Sequence, residues 1–423
     1  MQSGKLLSAL LVFLLAVLIV GPVQFAEPST AWSAPGGKEN KPEKTKAPAD
    51  AEDIDKWIAQ LGAESFKERE EAIRRLIVIG PSALGPLRRI ADDKRADPDV
   101  RLRAARAAFA IATVKIEMVR RLGEHSGVPN NPNYRWVARV AISPDGKHAV
   151  TAGMDALRYW DLANKRQIRV CGENKQGYWA VSFSPDGRHI VAGARNRSAC
   201  LFDVNTGKLL HEMRGHAQEI WGAVFTADGK HALTGSWDHT IRVWDTATGK
   251  PIRTFNGIRD SVRCLALSPD GKLLAAGHFA VANGPGIVRL WDVEKGTEVR
   301  SMKGHELEIT SISFSSDGKS LLTSSFDKTI RLWRVADGKE EKCLKGHTGR
   351  IECAVFLPDG RRVVSCAAES DPTMRLWDVQ SGKQLGQTEN VEEGFLGVAA
   401  LPDGQHALTT GKDGSVRLWR WAR

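Results

Sequence analysis

Seven times from Val137 onward the chain returns to one four-residue turn. It reads Ser143-Pro144-Asp145-Gly146, Ser184-Pro185-Asp186-Gly187, Thr226-Ala227-Asp228-Gly229 and Ser268-Pro269-Asp270-Gly271, then Ser315-Ser316-Asp317-Gly318, Leu357-Pro358-Asp359-Gly360 and Leu401-Pro402-Asp403-Gly404. Asp-Gly between apolar runs is a strong hairpin signal, because glycine accepts a positive φ without a Cβ clash. The aspartates stand 41, 42, 42, 47, 42 and 44 residues apart. A beat of that length with several strands per unit predicts a ring of β-sheet blades.

A second marker keeps the same time. Tyr159-Trp160-Asp161, Leu201-Phe202-Asp203, Val243-Trp244-Asp245, Leu290-Trp291-Asp292, Leu332-Trp333-Arg334, Leu376-Trp377-Asp378 and Leu418-Trp419-Arg420 close seven strands. Two residues before the aromatic stands Arg158, Arg242, Arg289, Arg331, Arg375 or Arg417, and in the second repeat Cys200. Period-two alternation is what a strand requires. The arginine stems can cover apolar surface while their heads reach water.

Gly-His, a strand, Asp-Gly, a strand, an Asp and then Trp-Asp closely resembles the WD-repeat pattern, over about 300 residues. The resemblance implies an all-β fold, a seven-bladed WD-repeat propeller of four-stranded blades around a channel. It also implies a structural tetrad of His, Ser or Thr, Asp and Trp. Those positions map onto His216, Ser236, Asp238 and Trp244, onto His305, Ser325, Asp327 and Trp333, and onto His347, Ser365, Asp371 and Trp377. Repeats two, four and seven lack the Gly-His, and repeat two has Asn196 and Phe202 for Asp and Trp. Those blades are expected to rely on packing.

The last repeat ends at Trp419-Arg420-Trp421, after its third strand. Glu117 to His125 matches fourth-strand segments such as Lys250 to Phe255. Residues 115–122 are therefore expected to complete the seventh blade, within a propeller spanning 115–423, and to remove an open edge.

Before the repeats, residues 1–34 read as a signal peptide or N-terminal anchor. Lys5 precedes an uncharged run from Leu6 to Val20, then Gly21-Pro22 and small residues follow. If the segment is uncleaved, residues 6–23 would hold the chain to a membrane. Residues 35–50, rich in Lys, Glu, Pro and Gly, read as a disordered linker. Residues 51–114 are helical. Ser65 with Glu68 makes a capping box, Gly80-Pro81 stops one helix, and Asp97-Pro98 starts another. This segment weakly resembles a HEAT-like unit, either a collar packed on the propeller or a separate partner-binding surface. Export to the periplasm or cell envelope is the expected location.

Chemistry is hard to find. The formal charge is +10, but 60 Lys and Arg against 50 Asp and Glu are spread along the chain, so no nucleic-acid partner is expected. The six cysteines form no C-x-x-C pair and read as small buried side chains. His148, His189, His231 and His406 each fall three residues after a turn Asp, one per blade, which argues against convergence on a metal. Nucleophile-elbow, zincin and phosphate-loop motifs are absent. Trp-rich propellers can host quinone enzymes, but their tryptophan motifs differ from these Trp-Asp endings. No catalytic residue, metal or cofactor is expected, and the chain should be monomeric.

What remains is the surface. In the resembled family the loops joining fourth to first and second to third strands share one face. Three are enlarged here, at Gly127 to Asn133, Ala280 to Gly286 and Glu369 to Pro372. Trp136, Trp179, Trp221, Trp237, Phe326, Arg195, Arg263, Arg350 and Glu352 are expected on that face, and aromatics and arginines are the usual hot-spot residues. The leading expectation is a non-catalytic scaffold taking a protein or peptide there. A propeller enzyme with a channel-mouth active site, or a purely structural module whose rings only plug the channel, are the alternatives.

Overall fold

The turn that sets the sequence period also sets the local geometry. The computed structural model describes residues 51–79, 81–127, 134–172, 177–279 and 284–422. The expectations for the export segment, the linker and Gly80 concern residues outside these, as do most of the first two loop inserts. In the first turn the Ser143 hydroxyl donates to Asp145 at 2.5 Å and accepts the His148 N–H at 2.9 Å. Gly146 takes φ of +69°. Ser184, Thr226, Ser268 and Ser315 repeat the device. Where Leu357 and Leu401 stand instead, Asp359 and Asp403 accept the N–H groups of Arg362 and His406 directly.

Seven four-stranded antiparallel sheets follow among the described residues. Blades 1 to 6 each consist of four consecutive strands, the first blade being Val137–Ile142, His148–Gly153, Leu157–Asp161 and Arg166–Cys171. Blade 7 takes Phe395–Ala400, His406–Gly411 and Ser415–Ala422 from the end of the chain, and Lys115–Glu124 from before the first repeat. That outer strand is longer than residues 115–122. Its bulges between Met118 and Arg120 and between Arg121 and Gly123 let the pairing run from Ala422 to Ser415. The result is a seven-bladed β-propeller.

Apolar alternation places each blade's core between sheets. Trp160, Trp244 and Trp377 are almost fully buried and pack across blade seams. Such rings contribute the largest share of burial per residue. Cys171, Cys200, Cys264, Cys353 and Cys366 are buried and Cys343 half-buried, all with free thiols.

Ahead of the ring lie α1 (Ala51–Ala59), α2 (Phe66–Ile79), α3 (Pro81–Asp92) and α4 (Pro98–Ala112). Leu61, Ile73, Leu76, Leu87 and Ala104 form a core of their own. Asp97 caps α4 by accepting the N–H groups of Asp99 and Val100 at 2.9 and 3.1 Å. Val114, at the junction with the ring, donates its N–H to the Leu385 carbonyl of blade 6 at 2.6 Å. No described helix is long and apolar enough to cross a membrane.

Candidate functional site at the channel mouth

Under the mouth of the channel each blade needs a frame to hold its loops. In blade 3, Trp244 Nε1–H donates to Thr234 Oγ1 at 2.8 Å, and Thr234 Oγ1 lies 2.8 Å from His216 Nε2. His216 Nδ1 lies 2.8 Å from Asp238. Because the aspartate only accepts, Nδ1 carries the proton and the threonine O–H donates to Nε2. Blade 5 repeats the chain through Trp333, Thr323, His305 and Asp327. Blade 6 does so through Trp377, Ser365, His347 and Asp371.

Two expected hydroxyls are corrected here. Ser236 and Ser325 sit two residues nearer the mouth than the indole reaches. They bond instead to the Gln218 and Leu307 carbonyls and to the N–H groups of Asp238 and Asp327. A further complete set, His125, Thr151, Asp155 and Trp160, stands in blade 1. The sequence reading missed it because His125 lies 26 residues before its hydroxyl, against 18 in blades 3, 5 and 6. Trp160 and the Gly123-Glu124-His125 triplet were its signals.

Above these four frames, side chains from all seven blades meet at one mouth. Tyr134 and Trp136, leading into blade 1, have ring centroids 4.9 Å apart. Arg195 of blade 2 lies 6.0 Å from the Tyr134 ring and 5.8 Å from the Trp179 ring. Trp179 stacks on Trp221 of blade 3 at 4.1 Å, and Trp221 on Trp237 at 4.8 Å. Arg263 of blade 4 is held between Trp221 at 5.2 Å and Phe326 of blade 5 at 4.9 Å. Arg350 of blade 6 covers Phe326 at 5.0 Å and approaches Glu369 at 4.0 Å. Glu369 pairs with Lys412 of blade 7 at 3.5 Å, and Lys412 lies 5.3 Å over Trp136. The circuit closes on itself.

All nine side chains expected at this face belong to the circuit or touch it, but they are not equally open. Trp179, Arg263 and Glu352 are buried, because they stand on inner strands where neighbouring blades converge. Trp136, Trp221, Trp237, Phe326 and Arg195 are half-buried, and Arg350 is exposed. Arg263 is clamped by Glu308 and, at 3.5 Å, by Glu352. Burial pushes the Glu352 carboxyl up from its ordinary range, with Arg263 opposing. Glu219 accepts the Trp179 indole N–H at 2.8 Å and faces Arg195 at 3.4 Å. The sequence reading did not single out Tyr134, Glu219, Glu308 or Lys412. Lys412 had a signal, since it stands directly before an Asp-Gly pair at the place of Arg195 and Phe326 in their own blades. Among the described residues no His, Cys, Asp and Glu side chains gather as a metal site.

Seven four-stranded blades, six of them closed by a tryptophan, and a mouth built from their connecting loops define a WD-type propeller. The chain belongs to the family described as WD40 (WD domain, G-beta repeat), which matches residues 165–203, 207–245, 249–292, 296–334, 338–378 and 385–420, more than half of the sequence. The first three strands of blade 1 lie outside those segments, although the blade carries a complete tetrad. Among similar proteins, "WD repeat-containing protein 1" of Mus musculus is 29% identical over 93 residues, 21% of this chain and 14% of that protein. "Small ribosomal subunit protein RACK1" of Caenorhabditis elegans is 34% identical over 85 residues, 19% and 26% of the two chains. "WD repeat-containing protein VIP3" of Arabidopsis thaliana is 30% identical over 82 residues, 16% and 26%. The matched stretches span about a quarter or less of these relatives.

Proposed function

We propose that this propeller is a non-catalytic docking scaffold of the exported space or cell envelope, taking a peptide or protein loop at the channel mouth. One observation carries the reading: aromatic and cationic side chains from every blade form a closed, partly open circuit around one mouth. Rings and guanidinium groups stacked in this way are rigid before a partner arrives, so little side-chain entropy is left to lose. The export-type segment at residues 1–34 supports the location, with residues 6–23 as the tether if it is retained.

The test is a crosslinking pull-down from envelope fractions, wild type against Trp221→Ala/Trp237→Ala, with thermal melting to show that the variant still folds. Loss of particular captured proteins from a folded variant is the expected result. Identical partner sets would end the proposal. The same outcome would favour a structural role for the rings, to which the burial of Trp179 and Arg263 between blades already lends weight.

A further inference from the structure

Below the circuit the Arg139 side chain crosses the channel. Arg139, on the inner strand of blade 1, donates from Nη2 to the Thr310 carbonyl of blade 5 at 2.8 Å. Its Nη1 donates to the Ala138 carbonyl at 2.9 Å and to the Leu396 carbonyl of blade 7 at 3.2 Å. The half-buried guanidinium borders both the mouth cavity and the channel beneath, so it is the floor of the first and the ceiling of the second. The mouth is a cup.

The charges of that cup do not balance. Arg263 faces Glu308 and Glu352, while Arg350 and Lys412 share Glu369. Arg139 has no carboxylate within ion-pair distance among the described residues; its three hydrogen bonds all end on backbone carbonyls. Four cations therefore meet three carboxylates, and burial makes one of the three, Glu352, easier to protonate. A guanidinium has five N–H donors, so two on Arg139 remain for a ligand. A charge held away from bulk water calls for an opposite charge.

Resting on the docking reading above, we propose that the cup recognises an acidic side chain, Asp or Glu, within the partner's peptide. Its carboxylate would sit on Arg139, and a neighbouring apolar side chain would lie against Trp136 or Phe326. A lysine or arginine in that place would instead meet Arg139, Arg350 and Lys412, with Glu369 already shared between two of them.

The probe is a display library of random dodecapeptides, fused at their C-terminal ends so that no terminal carboxylate is free, panned against the full chain. Peptides enriched on wild type over Trp221→Ala/Trp237→Ala are expected to carry Asp or Glu beside an apolar residue. Changing that Asp to Asn, or Glu to Gln, in the synthetic peptide should weaken binding about tenfold or more, and added salt should weaken the acidic form alone. Arg139→Met should abolish the preference for the acid, and Arg139→Lys should keep part of it. The peptide arm needs no protein variant, so a misfolded Arg139→Met leaves the test intact. Enriched peptides lacking acids, or binding indifferent to Asp→Asn, would overturn the acidic assignment while leaving docking standing. Enrichment only from a library with free C-termini would overturn the side-chain assignment. No enrichment over the double variant would overturn both.

Discussion

Met118 lies opposite Trp419 in one sheet, although the first precedes all seven repeats and the second belongs to the last strand. Ile116 faces Trp421 in the same register, and both are buried in the seam with blade 6. The ring is thus sealed by residues far apart in the chain, and the seal adds buried apolar area to its hydrogen bonds. Removing residues 1–124 should leave Ser415–Ala422 as an open edge with Trp421 uncovered. Insoluble protein without a cooperative melt is expected, against a soluble chain when only residues 1–50 are removed. Soluble, cooperatively melting protein from the longer truncation, in circular dichroism and light scattering, would refute the seal.

Thr234 and Ser236 offer a second comparison. Both are fully buried on one strand, but Thr234 joins His216 to Trp244 while Ser236 bonds backbone near the mouth. Thr234→Val leaves two buried nitrogens without partners, at a cost of about 2 kcal/mol or more. Ser236→Ala should cost about 1 kcal/mol, since the groups it frees lie nearer solvent. Urea unfolding of the two variants decides, and equal losses would count against the tetrad as drawn.

Much of this was legible in advance for a physical reason. Turn and strand chemistry is local, and seven copies repeat it, so the blades follow from spacing, and closure by residues 115–122, two short of the observed Lys115–Glu124, from likeness to other fourth strands. The choice between Thr234 and Ser236 was not legible, because the two side chains share a strand face and only the reach of Trp244 separates them. The mouth was half legible. Position in the repeat gave Trp179 and Arg263 their face, but their burial depends on how neighbouring blades converge. Arg139 could not be read at all: its importance lies in carbonyls of blades 5 and 7 that come near it only once the ring has closed.

Acid should unfold this protein through its tetrads. For Asp327, burial alone would raise the carboxyl, but hydrogen bonds and charge from His305 and Thr329 outweigh it and bring the value down to about 2. Asp155, Asp238 and Asp371 are held well below the ordinary range by their own histidine and hydroxyl or arginine partners, again against burial. A folded value below the unfolded one, about 3.9, stabilises above that pH and fades as pH falls through the folded value. Burial also lowers His125 and His347, despite their aspartates, and that contribution fades as pH falls below about 6.5. Urea midpoints should therefore drop from pH 6 and fall steeply between about 4 and 2. Asp327→Asn should start lower at neutral pH and lose about 2 kcal/mol less over the acid limb. A parallel acid limb would refute the assignment.

Blades 2 and 4 both lack the tetrad hydroxyl, and they should respond oppositely to its return. Ala276 and Ala192 occupy the place that Thr234 has in blade 3, facing Arg289 and Cys200 as Thr234 faces Arg242. Blade 2 also exchanged its tryptophan for Phe202, so no donor is left over there. Blade 4 kept Trp291, whose buried Nε1–H has no partner among the described residues. In Ala276→Ser the new hydroxyl can accept that N–H, as Ser365 accepts the Trp377 N–H at 2.8 Å in blade 6. With no histidine there to take it, its own proton can point to the facing Arg289 carbonyl, since the matching Arg331 carbonyl lies 3.4 Å from the Thr323 hydroxyl oxygen in blade 5. A gain of about 1 kcal/mol is expected in urea unfolding. Ala192→Ser buries the same hydroxyl opposite a ring with nothing to donate, and a loss of about 1 kcal/mol is expected. Two losses of equal size would show that the lone indole of Trp291 is not short of a partner.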